Sequence, residues 1–274
     1  MTATRRVLSV DRMPDRDSYT EGTPSWVDLA TTDVEGSKAF YTALFGWEWE
    51  ANDTDDPDSQ YLMASLRGRS AAGMMQQSPE QVAMGMPPVW SVYITVDDID
   101  TTTAEVERAG GSVMAPPFDV MTAGRMGVMV DPTGAVFCLW EAKEHPGCGV
   151  VNEPGAFTWA ELVTADQSAA AEFYGKVLGV TSSTIEMEGL GAMTTFEVAG
   201  ESVGSAMPIP ADGVPPMWTT YFAVADCDAA CATIEELGGQ VTFGPFDADP
   251  GRIAAVADPA GAHFSIIALA QPPQ

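Results

Sequence analysis

Apolar positions in this chain come in short alternating runs separated by stretches of helical spacing. "WVDLAT" (26–31), "QYLMASL" (60–66), "AAGMMQ" (71–76), "WSVYITV" (90–96), "GSVMAP" (111–116), "GRMGVMV" (124–130) and "AVFCLWE" (135–141) all read as strands. Between the first and second of these lies "VEGSKAFYTALFGW", which predicts a helix carrying Phe40 and Tyr41. A second helix follows Asp97-Asp98 and ends at Ala109-Gly110-Gly111, where glycine tolerates a left-handed C-cap. Asp131-Pro-Thr-Gly134 supplies the turn residues of a hairpin before the last run. The order is strand, helix, three strands, and it occurs twice before residue 143.

The whole pattern then starts again. "WVDLATTDVEGSKAFYTALFGW" (26–47) matches "WAELVTADQSAAAEFYGKVLGV" (159–180) at an offset of 133. "MPPVWSVYITVDDIDTTTAEVERAGGSVMAPPFD" (86–119) matches 214–247 at 128, and "GRMGVMVDPTGAVFCLW" (124–140) matches 251–267 at 127. Three ordered blocks of this length mark an internal duplication. The expected organisation is an N-terminal extension (1–20), a first domain (21–143), a linker (144–154) and a second domain (155–274). The linker call rests on "EAKEHPGCGVVNEPG" (141–155), rich in Gly, Pro and charge.

Alternation also assigns faces. Val27, Leu29, Val92, Ile94, Phe137 and Leu139 should pack under helices. Trp26, Asp28, Ser91, Tyr93, Cys138 and Trp140 should then line the other, concave face of the first domain. Trp159, Glu161, Thr219, Tyr221, His263 and Ser265 should do so in the second. Arg125 and Arg252, at the starts of matching strands, are expected on the concave side as well.

Charge and composition narrow the classes. The net charge of −27 opposes binding to nucleic acid or anionic membrane. No apolar run is long enough for a membrane span or signal peptide. Four cysteines (Cys138, Cys148, Cys227, Cys231) without paired Cys-x-x-Cys units predict free thiols and a cytoplasmic protein. No phosphate-binding glycine loop, dinucleotide fingerprint or nucleophile elbow is present. Methionine and tryptophan are abundant, as core filler or as adaptable walls for a flat ligand.

Paired strand–helix–three-strand modules, with F-Y in the first helix and D-P-x-G before the last strand, resemble the vicinal oxygen chelate superfamily. That group holds glyoxalases, bleomycin-resistance proteins and extradiol dioxygenases, and the resemblance spans about residues 22–270. It implies an α+β fold of tandem duplicated domains, each two βαβββ modules forming a curled mixed sheet around a cavity. It also implies a metal held by His or Gln on the first strand, His on the fifth and Glu on the eighth. The matching positions here are Trp26, Ser91 and Cys138, and Trp159, Thr219 and Ser265. Divalent metals need imidazole and carboxylate donors, so no metal and no cofactor are expected.

What remains for chemistry is a carboxylate in each cavity. Asp28 and Glu161 are either structural acceptors or proton-transfer groups with raised pKa. Glu161, His263, Tyr221 and Arg252 form the candidate catalytic set, since a carboxylate beside an imidazole is a common acid–base arrangement. The plain alternatives are a satisfied core histidine, and arginines paired internally with Asp28 or Glu161. Trp26, Asp28, Tyr93, Arg125, Cys138, Trp140, Trp159, Thr219 and Ser265 are candidate substrate-binding residues. The expected partner is a bulky apolar or aromatic small molecule, with the protein a monomer or weak homodimer. Two functions share that pocket: metal-independent acid–base tailoring of a natural product such as an aromatic polyketide, or sequestration of a drug or toxic metabolite.

Overall fold

The structure, a computed structural model, describes residues 15–52, 60–187, 191–211 and 213–270. Most of the proposed N-terminal extension, residues 1–14, lies outside them. The described chain forms two mixed sheets of eight strands. β1 (Pro24–Thr31), β2 (Glu48–Ala51), β3 (Tyr61–Leu66), β4 (Arg69–Gln76), β5 (Val89–Thr95), β6 (Ser112–Val120), β7 (Gly124–Val130) and β8 (Val136–Ala142) make the first. β9 (Phe157–Thr164), β10 (Thr181–Met187), β11 (Gly191–Val198), β12 (Glu201–Pro208), β13 (Met217–Ala223), β14 (Gln240–Ala248), β15 (Gly251–Ala257) and β16 (His263–Leu269) make the second. The strand orders, 2-3-4-1-5-8-7-6 and 10-11-12-9-13-16-15-14, are identical in form. Within each module the first and last strands pair in parallel, and β1–β5 and β9–β13 join the modules antiparallel.

The four long helices begin alike. α1 (Val34–Phe45), α3 (Ile99–Arg108), α4 (Gln167–Leu178) and α5 (Cys227–Glu236) each start after an aspartate: Asp33, Asp98, Asp166 or Asp226. Its side chain accepts a first-turn amide, which satisfies an otherwise orphaned donor. A short helix, α2 (Pro79–Ala83), is closed by a Ser78–Gln81 capping box.

The F-Y pairs do more than fill a core, because each tyrosine crosses to the other half. Tyr41 Oη donates to Asp258 Oδ2 (3.0 Å), and Tyr174 Oη donates to Asp131 Oδ2 (2.9 Å). These aspartates open the two D-P-x-G turns. The same hydroxyls accept indole N–H groups from Trp90 (3.1 Å) and Trp218 (2.9 Å). Phe45 packs on Phe222 and Phe264, while Phe137 packs on Phe173 and Tyr174. The halves are thus joined by an aromatic layer pinned by two reciprocal hydrogen-bond chains.

The segment between the sheets is not a loose connection. Cys148 donates its amide to Ser25 O, and Gly149 donates to Ser70 O. Residues 15–20 lie on this segment: Asp15 bridges to Val150, and Tyr19 Oη donates to Cys148 O (2.7 Å).

Replacing Tyr174 by Phe leaves a buried carboxylate oxygen and an indole N–H without partners. Each such loss costs about 1–3 kcal/mol. Y174F, and Y41F on the other side, should each lower the unfolding free energy by at least that amount in urea titration. A loss below about 0.5 kcal/mol in both would show that the reciprocal chains do not hold the halves together.

Candidate functional site

In the first half, β1 turns Trp26 and Asp28 to the same face, and β5 places Tyr93 beside them. Trp26 and Asp28 are both almost fully buried. Tyr93 Oη donates to Asp28 Oδ2 at 2.7 Å, and Tyr61 Oη donates to the same oxygen at 3.2 Å. Trp26 Nε1 in turn donates to Tyr61 Oη (2.9 Å). Burial pushes the Asp28 carboxyl up to about 6 against the opposing pull of hydrogen bonds from Tyr93, Tyr61 and Ser91. Burial likewise pushes the Cys138 thiol up, so it is an inert thiol rather than a thiolate.

The second half repeats this network with one exchange. Tyr221 Oη donates to Glu161 Oε1 (2.6 Å), Ser205 Oγ donates to Oε2 (3.1 Å), and Trp159 Nε1 donates to Ser205 Oγ (2.9 Å). Strand register places Ser205 opposite Glu161 and Gly73 opposite Asp28. Gly73 surrenders its side chain, and the Tyr61 phenol fills the space: a Cβ built at Gly73 would lie 1.8 Å from Tyr61 Oη. An indole, a hydroxyl, a carboxylate and a tyrosine therefore recur in both halves, with the hydroxyl drawn from different strands. Burial raises the Glu161 pKa against the hydrogen bonds of Tyr221 and Ser205. Burial, then the adjacent carboxylate, raises that of Tyr221, so the phenol stays protonated.

The halves differ in what lies over the network. In the first, His145 from the inter-sheet segment stands edge-on to Trp26 (4.5 Å between centroids) and packs against Trp140, whose Nε1 donates to His145 O. Burial holds this imidazole down to about 4, hence neutral. In the second, the network opens into a cavity of about 680 Å³, mouth included. Its walls are apolar: Met193, Met207, Phe246, Ile253, Ile267 and Leu269, with Trp159, Glu161, Ser205 and Tyr221 at one side.

Three expectations fail. His263 keeps the predicted face but opens β16 as an exposed residue, beyond the cavity walled by Ile267 and Leu269 further along the strand. Among the described residues Glu161 is held by Ser205 and Tyr221, not by His263. Arg125 and Arg252 face the helices instead, because Met126 and Ile253 take the concave positions. Arg125 binds Asp100 (2.7 and 3.0 Å) and Arg252 binds Asp228 (2.7 and 3.0 Å) and Asp247. Their pairing inward with Asp28 or Glu161 is corrected to a tie onto the first turns of α3 and α5. Of the other candidates, Trp26, Asp28, Tyr93, Cys138 and Trp140 gather in the first half. Trp159, Glu161 and Tyr221 line the second cavity, Ser265 pairs in register with Tyr221, and Thr219 sits in register opposite Glu161. Tyr61, Ser205 and His145 were not anticipated. Aligning Gly73 with Ser205 across the repeat is the one signal that points to the first two.

A family model described as Glyoxalase/Bleomycin resistance protein/Dioxygenase superfamily matches residues 23–139 and 156–266. The chain belongs to this superfamily. Among its relatives, "Putative glyoxylase CFP32" of Mycobacterium tuberculosis is 43% identical over 93% of this chain and 98% of its own length. The anthracycline biosynthesis protein DnrV of Streptomyces peucetius is 37% identical over 92% of this chain and 94% of its own. Among solved structures, the 2,3-dioxygenase LapB from Pseudomonas sp. KL28 shares the fold at a TM-score of 0.63 with 14% identity, covering 92% of this chain and 93% of that one. A Mn(II)-bound glyoxalase from Novosphingobium aromaticivorans does so at 0.59 and 16%, covering 93% and 86%.

That fold neighbour holds manganese, and the donors here do not fit such an ion. An indole N–H has no lone pair to offer. Both oxygens of Glu161 already accept from neutral hydroxyls, and no group of three or more His, Cys, Asp or Glu gathers anywhere among the described residues.

The raised Asp28 pKa sets a pH dependence. Its folded value of about 6 exceeds the ordinary aspartate value of 3.8, so the native state binds the extra proton between these limits. The stabilisation is complete below about pH 4 and is lost as pH rises to about 6. At about 1.4 kcal/mol per unit, roughly 3 kcal/mol is involved. Asp28→Asn mimics the neutral acid, so wild type should lose about that much stability relative to D28N between pH 4 and 7. A pH-independent difference in paired denaturation curves would refute the assignment.

Proposed function

We propose that the chain binds a bulky apolar or aromatic small molecule in the second-half cavity and performs metal-independent acid–base tailoring on it. Cyclisation, ketalisation, dehydration and isomerisation are the reactions such a site supports. The observation that carries this reading is Glu161: a carboxylate buried in an apolar cavity, held by two neutral hydroxyls, with its pKa raised. A carboxylate so placed is strengthened as a base toward a C–H or O–H proton of a bound ligand. Each carboxylate oxygen accepts one recorded hydroxyl bond and keeps a lone pair for that proton. Once Glu161 is neutral its hold on Tyr221 weakens, and the phenol can turn its hydrogen to an oxygen of the ligand that gains charge. Ser205, fixed by the Trp159 indole, keeps the carboxylate oriented meanwhile. The relative named for anthracycline biosynthesis supports a polycyclic aromatic natural product as the ligand class.

Sequestration is the second reading, and it is favoured by the position of His263. Without an imidazole in the cavity, the methionine-rich walls suffice to bind, and nothing in binding requires a tuned carboxyl.

The two readings separate in one experiment. A sugar-free anthracycline ring system and its polyketide precursors are titrated by calorimetry, then incubated with the protein and analysed for products. Turnover that falls about 10²–10⁴-fold in Glu161→Gln and in Tyr221→Phe, with binding kept and His263→Ala unaffected, is the expected result. Tight binding without product would establish sequestration instead. Turnover unchanged in E161Q, or abolished by chelators and restored by a divalent metal, would overturn the proposal.

A further inference from the structure

A second cavity adjoins the first. It is an open-mouthed space of about 770 Å³, solvent at its mouth included, and shares Thr158 and Trp159 with the apolar cavity. Trp159 is the partition. Val203 borders the second space and Met207 the first, with Ser205 between them on the same strand face. The indole lies against Ser205, held there by its N–H (2.9 Å).

The two compartments differ in chemistry. The first is walled mainly by aliphatic, methionine and phenylalanine side chains. The second is more polar: Thr20, Thr23 and Ser202 line it beside a Thr158–Asn152 pair (2.9 Å), with Arg16 and Glu201 also in its wall and apolar side chains such as Val151 and Phe157 between them. Its roof is built deliberately. Residues 16–20 are tied down by Arg69, which donates to Arg16 O (2.9 Å) and Asp17 (2.6 Å), and by Arg16 N to Gly149 O and Tyr19 Oη to Cys148 O. A wall of neutral donors and acceptors recognises hydroxyls and ether oxygens.

We propose that this compartment is the second half of one ligand site and receives a hydroxylated, sugar-like appendage of the molecule whose apolar body occupies the first cavity. The inference rests on the function proposed above and adds the ligand class: an amphipathic glycoside-type molecule, bent around Trp159. The N-terminal segment is then part of the binding site rather than an accessory tail.

The probes are an anthracyclinone, the sugar-free tetracyclic quinone, and the same ring system carrying its O-linked sugar. Thr20 and Glu201 are exposed and line this compartment but not the apolar cavity, so Thr20→Trp and Glu201→Trp fill the one and spare the other. In full-length protein the glycoside should bind more tightly than the anthracyclinone. Each filling variant should weaken the glycoside by about tenfold or more, the scale of one or two hydrogen bonds, and leave the anthracyclinone within about twofold of wild type. Unchanged anthracyclinone binding also verifies folding. If both ligands weaken together, or neither changes in either variant, this inference fails while the apolar site stands. If the anthracyclinone itself does not bind wild type, the function proposed above fails and this inference falls with it.

Discussion

A carboxylate buried beneath a sheet with no cation beside it has to be held by neutral donors, or it does not stay there. That constraint organises both halves of the molecule. Asp28 and Glu161 each take one phenol from the antiparallel neighbour strand and one hydroxyl from the parallel side. The hydroxyl in turn needs something to orient it, and the indole of Trp26 or Trp159 does so. This explains how tryptophan can stand at the strand position where the family resemblance implies a metal ligand. The ion and the indole solve different problems, since one supplies charge and the other supplies direction to a neutral donor. Neutral donors offset only part of the desolvation cost, which is why both carboxyls remain biased toward the protonated form.

The frame around this network was largely legible in the sequence, because it depends on local, periodic signals. Alternation placed Trp26, Asp28 and Tyr93 on one face, and their counterparts Trp159, Glu161 and Tyr221 likewise. Aspartate caps and D-P-x-G turns fixed where elements begin and end. Reading failed where position along a strand, or its phase, mattered. His263 has the right face but occupies the strand's exposed start. Arg125 and Arg252 each follow a glycine at a strand start, where the phase is ambiguous, and Met126 and Ile253 take the inward places. The duplication of those arginines did mark a supporting role, with α3 and α5 as the partners. His145 was beyond pattern, since it reaches in from the segment between the sheets, and Tyr61 showed only indirectly, through Gly73 standing where the repeat has Ser205.

The joint between the halves has the same economy. Each F-Y helix gives its tyrosine to the aspartate of the opposite D-P-x-G turn, so a turn-forming residue also serves as an inter-half acceptor. Oδ1 of Asp131 is committed to its own turn through Thr133 and Ala135, which leaves Oδ2 for Tyr174. The two functions do not compete for one oxygen. Turn geometry and domain docking are therefore set by one side chain, and each cavity is held at a fixed attitude to the aromatic layer.

Why the halves, equal in plan, present different sites follows from one exchange. With glycine at 73, the hydroxyl must come from the bulky Tyr61, whose ring lies across the strand and takes space on the concave face. With serine at 205, the hydroxyl arrives on a single carbon, and the position equivalent to Tyr61 is held by Met193, which becomes a flexible wall. The same kinds of donor serve in both cases, converging on one oxygen of Asp28 and on separate oxygens of Glu161, so donor type alone does not set the halves apart. The volume left beside the network does. His145 then packs edge-on against Trp26 and buries it in the first half, whereas in the second Trp159 stays partly accessible, between an apolar cavity and a more polar one. A buried carboxylate becomes a reaction site only where a ligand can reach it, and here the source of one hydroxyl decides that.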